Sequence, residues 1–141
     1  MTAEDFFEWA RQCAIDKDRA ETRRRHLYDR KSSSPTAVSS SGSDPMGYVD
    51  AAIDKEAELV ADIMRCDDVR NKAANVIAAV ERAVPGPAAA ILELYYMDLA
   101  GTWDEIAIEL HMSIANLYRI RRQAMEWVNW SGIVADVGRA A

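Results

Sequence analysis

The chain has little of what builds stapled or metal-held folds: among 141 residues there are two cysteines, two histidines, four prolines and six glycines. Cys13 and Cys66 stand apart, with no C-x-x-C pair and no histidine partner, so neither a disulfide framework nor a zinc site is indicated. A reducing cytoplasm is the expected location. No run approaches the ~18 consecutive apolar residues of a membrane span, and the opening of the chain is acidic and amphipathic, unlike a signal peptide. Positive charge is also short: 17 Lys and Arg against 23 Asp and Glu leave a net charge of -6. That balance excludes a protein that coats nucleic acid over its whole surface by counterion release, so any such contact must come from a local basic patch. The length suits one domain of ordinary size, or a small domain with a helical appendage, and excludes two large domains.

Long stretches without helix breakers are what the chain does have. Thr2 to Arg30 contains no Gly or Pro, and Phe6, Cys13, Ala20 and Leu27 recur every seven positions, with Trp9 and Ala10 widening the stripe. Thr2 and Asp5 resemble a capping arrangement, Glu4, Asp5 and Glu8 suit the positive end of a helix, and Arg23, Arg24, Arg25, Arg30 and Lys31 suit the other end. That basic run reads as a solvated helix terminus. Ser32 to Gly47, SSSPTAVSSSGSDPMG, lacks apolar periodicity and reads as a linker. Asp50 to Val84 predicts a second long helix whose stripe runs through Val49, Ile53, Val60, Ile63, Val76, Ile77 and Val80, broadened by Ala52, Leu59, Ala73 and Ala74, with a bend expected near Cys66-Asp67-Asp68. Each long helix offers one apolar face, so the two must pack on each other, on the rest of the chain or on a second copy. The resulting order is a helix over 1–31, a linker over 32–47, a second long helix over 48–84, a helix-turn-helix domain over 87–130 and a tail over 131–141. The fold class is all-α: a helical hairpin or coiled coil joined to a C-terminal helix-turn-helix.

Pro85-Gly86-Pro87 breaks the second helix. Ala88 to Leu99 predicts a third, with Ile91, Leu92, Tyr95 and Leu99 at helical spacing and Ala100-Gly101 ending it. Thr102 with Glu105 forms a capping box for a short helix from Trp103 to about Leu110. Ser113 caps a last helix reaching Trp127 or Trp130, with Leu117, Ile120, Ala124 and Val128 inward. Two helices across so short a turn are the signature of a helix-turn-helix. Ala107 is the small residue for the crossing, His111 the residue for a positive φ in the turn, and Ile106, Leu110, Met112, Leu117 and Ile120 seat the second helix.

With that face inward, the outward residues are Ser113, Ile114, Ala115, Asn116, Tyr118, Arg119, Arg122 and Gln123. Between Ser113 and Met125 there are three arginines and no acid, the local positive surface that an acidic protein needs in order to bind DNA. In a major groove, Arg119 fits guanine, Asn116 or Gln123 fits adenine, and Ile114 or Ala115 meets a thymine methyl, while Arg121 and Arg122 are assigned to phosphates. No catalytic, metal or cofactor residue is assigned: Asp67-Asp68 and Asp104-Glu105 fall on helix surfaces with no nucleophile and base beside them.

The stretch GTWDEIAIELHMSIANLYRIRRQAM resembles region four of bacterial primary-type sigma factors, in which a Thr-capped helix precedes a Ser-capped recognition helix. With ILELYYMDLAG before it and YRIRRQAMEWV closing it, the segment looks most similar to small sigma-like proteins of phages and prophages, the ArpU-type and RinA-type regulators of late transcription. Ile114 and Ala115 stand where the sigma pattern often carries Arg and Glu. The resemblance implies double-stranded DNA as partner, contact with RNA polymerase, and control of transcription rather than catalysis. Self-association through the long helices is expected, and membrane association is not. The weighed alternatives are a phage small terminase subunit, which joins a helix-turn-helix to oligomerising helices for genome packaging, and a protein-interaction module that contacts polymerase without DNA.

Overall fold

A computed structural model describes residues 1–33 and 45–135. Among them every regular element is helical: α1 (Ala3–Ser33), α2 (Pro45–Ala83), α3 (Ala88–Leu92) continued by a π-helical turn (Glu93–Met97), α4 (Trp103–Glu109) and α5 (Ile114–Ser131). No helix of the described residues is long and apolar enough to cross a membrane.

The starts of these helices follow from side chains that satisfy backbone N–H groups. At α1, Thr2 Oγ1 accepts from Asp5 N at 3.2 Å and Asp5 Oδ2 accepts from Thr2 N at 3.3 Å, a reciprocal cap with aspartate in the glutamate role. The expected linker is shorter than its composition suggests. Ser32 and Ser33 complete α1, and Pro45, Met46 and Gly47 open α2. Proline is tolerated there because the first helical N–H has no intrahelical acceptor to lose. The remaining linker positions, 34–44, lie outside the described residues. α2 runs uninterrupted through Cys66, Asp67 and Asp68.

By contacts the chain groups into two compact units, Met1–Ile15 with Asp68 onward, and Asp16–Asp67. The boundaries fall inside α1 and α2. In the first unit, Phe6, Phe7, Ala73, Val80, Ile91, Leu92, Tyr96, Ile106, Leu117, Ala124 and Val128 are fully buried in one cluster. Complete burial of such an aliphatic or aromatic side chain contributes about 1.5 to 3 kcal/mol, so the start of α1 and the end of α2 are structural parts of the same core as the last three helices. Their apolar faces are covered there.

The second unit is thinner. Ala20, Leu59 and Cys66 are its buried residues among those described, and Lys17–Asp67 and Arg24–Glu56 (3.7 Å) are its ion pairs between α1 and α2. Arg23, Arg24 and Arg25 are exposed, more than two turns before the end of α1. Ile53, placed on the inward stripe by periodicity, is 53% exposed, and Met64 is 63% exposed. With Ala57, Val60, Ala61 and Glu56 these two line an open groove of about 480 Å³. Val49 and Ala52 of the same expected stripe lie outside the described side chains.

Two further departures concern the ends of helices. The third helix does not run regularly to Leu99: its last turn widens, with Asp98 N donating to Glu93 O at 2.9 Å and Ala100 N to Leu94 O at 2.9 Å. Leu99 then takes φ 52, a left-handed conformation costly for a branched side chain, and Gly101 follows at φ 131. The described start of the tail, residues 131–135, returns to the core. Ser131 ends α5, Gly132 turns the chain at φ 71, and Val134 returns to be 2% exposed.

Candidate functional site

The site is built on α4, its turn and α5. Thr102 Oγ1 accepts from Glu105 N at 3.3 Å, fixing the start of α4, and Ala107 is buried on its inner side. At the other end, His111 N donates to Ile108 O at 3.1 Å and Met112 N to Ala107 O at 3.0 Å. This is the Schellman pattern, and it requires a left-handed residue after the cap. His111 supplies it with φ 55, the turn role expected of it. Ser113 Oγ then accepts from Asn116 N at 3.1 Å and starts α5. Leu117, Ile120, Ala124, Met125 and Val128 are buried along the inner face of α5, which fixes what faces out.

Of the residues expected on that outer face, Ser113, Ala115, Tyr118, Arg119, Arg122 and Gln123 are exposed. Ile114 is half-buried and packs against the core cluster, which leaves less of it available to a partner than expected. Tyr118 is 43% exposed and meets Trp103 edge-on at 6.4 Å between ring centroids. Arg119 lies over Asn116: its Nε and Nη2 both donate to Asn116 Oδ1, at 3.2 and 2.7 Å. Arg122 has no ion pair among the described residues.

Arg121 is placed differently from its neighbour and from the phosphate role assigned to it. Its Nη2 donates to Tyr96 Oη at 2.9 Å and lies 3.3 Å from Glu4 Oε1, and its guanidinium carbon sits 5.1 Å from the centre of the Trp103 ring. The side chain is only 21% exposed. One step along a helix rotates a side chain by about 100°, enough to carry Arg121 off the outer face. Burial pushes the Tyr96 hydroxyl above its usual pKa, opposed by its hydrogen bond to Arg121. For Arg121 burial acts to lower the pKa, but the Tyr96 hydrogen bond and the charge of Glu4 outweigh it, so the guanidinium is held in its charged form.

Around this contact lies a ladder of aromatic rings and cations. Tyr95 stacks on Trp103 at 3.7 Å and an interplanar angle of 15°, Tyr96 meets Trp103 at 5.8 Å, and the Arg11 guanidinium carbon lies over the Tyr95 ring at 4.6 Å. Both tyrosines lie in the π-helical turn. The start of α1 is tied in as well, Ala3 N donating to Asn129 Oδ1 at 2.8 Å. Glu4, Arg11 and Asn129 carry no sequence signal for these roles, because each partner lies far away along the chain. No group of three or more His, Cys, Asp or Glu side chains able to hold a metal occurs among the described residues.

Comparison of the chain with family models, with curated proteins and with solved structures finds no match.

Proposed function

We propose that the chain is a sequence-specific DNA-binding regulator of transcription of phage or prophage type, with α4 and α5 as a helix-turn-helix and α5 as the helix that enters the major groove. The observation that carries this reading is the outer face of α5. Arg119 and Arg122 stand exposed with Asn116, Tyr118 and Gln123 beside them, on an 18-residue helix whose opposite side is buried and which has no acid before Glu126. In a protein of net charge -6 that face is a local cationic surface of the width a major groove admits. Its support is rigid, because both helix starts are capped and the turn between them is closed by backbone hydrogen bonds. The resemblance to sigma region four agrees with this reading.

Contact with a protein such as RNA polymerase is a second role favoured by the outer side of α4. There Ile108 is 75% exposed among Asp104, Glu105 and Glu109, an acidic and apolar surface that DNA repels. Self-association is assigned to the exposed Ile53–Met64 groove of α2, which leaves apolar surface in water.

Fluorescence anisotropy of the full chain with duplex DNA, titrated across a salt series, tests the main reading. Binding whose logarithm falls linearly with the logarithm of salt is expected. Absence of binding at low salt rejects the DNA role and transfers α5 to the protein-interaction reading. Genomic neighbours separate transcription from packaging, and sedimentation as a monomer at micromolar concentration rejects self-association.

A further inference from the structure

Asn116 and Arg119 lie one helical turn apart at the start of α5, and the two sides of each amide and guanidinium group are not equally available. Both donors on one edge of the Arg119 guanidinium, Nε and Nη2, point at the single oxygen Asn116 Oδ1. Two donors fill the two lone pairs of that oxygen. Asn116 therefore has no acceptor left, and the paired contact by which an asparagine reads adenine, accepting from N6 while donating to N7, is closed to it. Arg119 keeps its other edge. Nη1 and Nη2 each retain an outward N–H, and those two parallel donors are the fork that matches the O6 and N7 acceptors of guanine. No carboxylate occupies that fork among the described residues.

We infer that Asn116 is a positioning residue that holds Arg119 with its outer fork toward the groove, so that this pair reads one G·C base pair and Asn116 reads no adenine. The inference rests on the reading of α5 as a recognition helix and adds to it the identity of the base. A free arginine side chain loses much rotational freedom when it is fixed on a base, and a neighbour that fixes it beforehand reduces that loss. Arg119 lies within the first two turns after the Ser113 cap, the part of a recognition helix that meets base edges. A lysine cannot replace it, having no planar fork.

The test starts from the duplex that the full chain enriches from a library of randomised DNA. Each guanine and each adenine of that duplex is then replaced singly by its 7-deaza analogue, which removes the N7 acceptor and preserves pairing. One guanine is expected at which the change weakens binding about fivefold or more. Arg119→Ala should make the protein indifferent to that change, Arg119→Lys should fail to restore the sensitivity, and Asn116→Ala should reduce it. Both side chains lie on the outer face, so these variants should melt with the parent in circular dichroism, which separates recognition from folding. A sensitive adenine whose effect disappears in Asn116→Ala overturns the inference and leaves the DNA role intact. So does an Arg119→Ala variant that only lowers the salt slope, since Arg119 then holds a phosphate. A library from which nothing is enriched, with no binding at low salt, removes the DNA role and the inference with it.

Discussion

Two stretches of the same pair of long helices behave differently. Within the unit formed by Met1–Ile15 and Asp68 onward, the helix faces close over Phe6, Phe7 and Tyr96, none of which retains exposed surface. Within Asp16–Asp67 the described residues bury two small side chains and Leu59, and ion pairs such as Lys17–Glu21 (3.9 Å) and Lys55–Glu58 (3.6 Å) lie at the surface. Exposed ion pairs contribute about 0 to 1 kcal/mol each, so charge does not replace the missing layer. A helical face is stabilised by what covers it, and within the first unit α3, α4 and α5 provide that cover. Local opening is therefore expected to begin between Asp16 and Asp67.

The largest effect that probes this contrast is the loss of an aromatic core residue. Phe6→Ala should destabilise the first unit by about 3 to 5 kcal/mol, whereas Ile53→Gln, on an exposed face of the second, should stay within about 0.5 kcal/mol. Trp9, Trp103, Trp127 and Trp130 all belong to the first unit, so tryptophan fluorescence during urea denaturation of the full chain reports that unit directly. Equal effects at the two positions would erase the distinction.

Trp103→Ala comes next, with an expected loss of roughly 3 kcal/mol, because the indole joins Tyr95, Tyr96 and Arg121. An unchanged melting curve with altered partner binding would recast Trp103 as a contact residue.

Adjacent arginines give a sharper and smaller contrast. Arg121→Ala should destabilise the fold by about 1 to 3 kcal/mol, since it leaves the buried Tyr96 hydroxyl without its partner. Arg122→Ala should leave melting within about 0.5 kcal/mol and lower the salt slope of DNA binding by about one unit. The reverse pattern would exchange their roles.

The smallest effect is confined to alkaline pH. Because the Tyr96 pKa is raised above its usual 10.0, the folded chain holds that proton where the unfolded chain has released it. The contribution of Tyr96 is therefore fully present below about pH 10 and declines as pH rises through the folded value. Tyr96→Phe, which has no proton to lose, should flatten that part of the decline in a comparison of urea midpoints against pH.

Much of the candidate site was legible in the sequence because its signals are local. A cap and its target lie three residues apart, as Thr2 and Asp5, Thr102 and Glu105, and Ser113 and Asn116 do, and each pair is formed. His111 at positive φ and the inward set Leu117, Ile120, Ala124 and Val128 are equally local, since a turn type and a helical period are read within a few residues. The ends of the linker were less legible, because serine and proline are compatible with the last and first turns of a helix as well as with a loop.

By itself the sequence determined that the chain is helical, where the helices of its C-terminal third begin and which side of α5 is apolar. Tertiary structure decided which residues on a given face are free to meet a partner. Periodicity places Arg122 on the outer face and Arg121 one step off it, but what Arg121 does there is decided by Glu4, 117 residues away, and Tyr96, 25 residues away, which meet the end of its guanidinium. The same holds on α2, where Ile53 and Val80 are both apolar yet Ile53 is 53% exposed and Val80 fully buried. Periodicity is a property of one helix, whereas burial depends on a neighbour that the chain brings from far along its length.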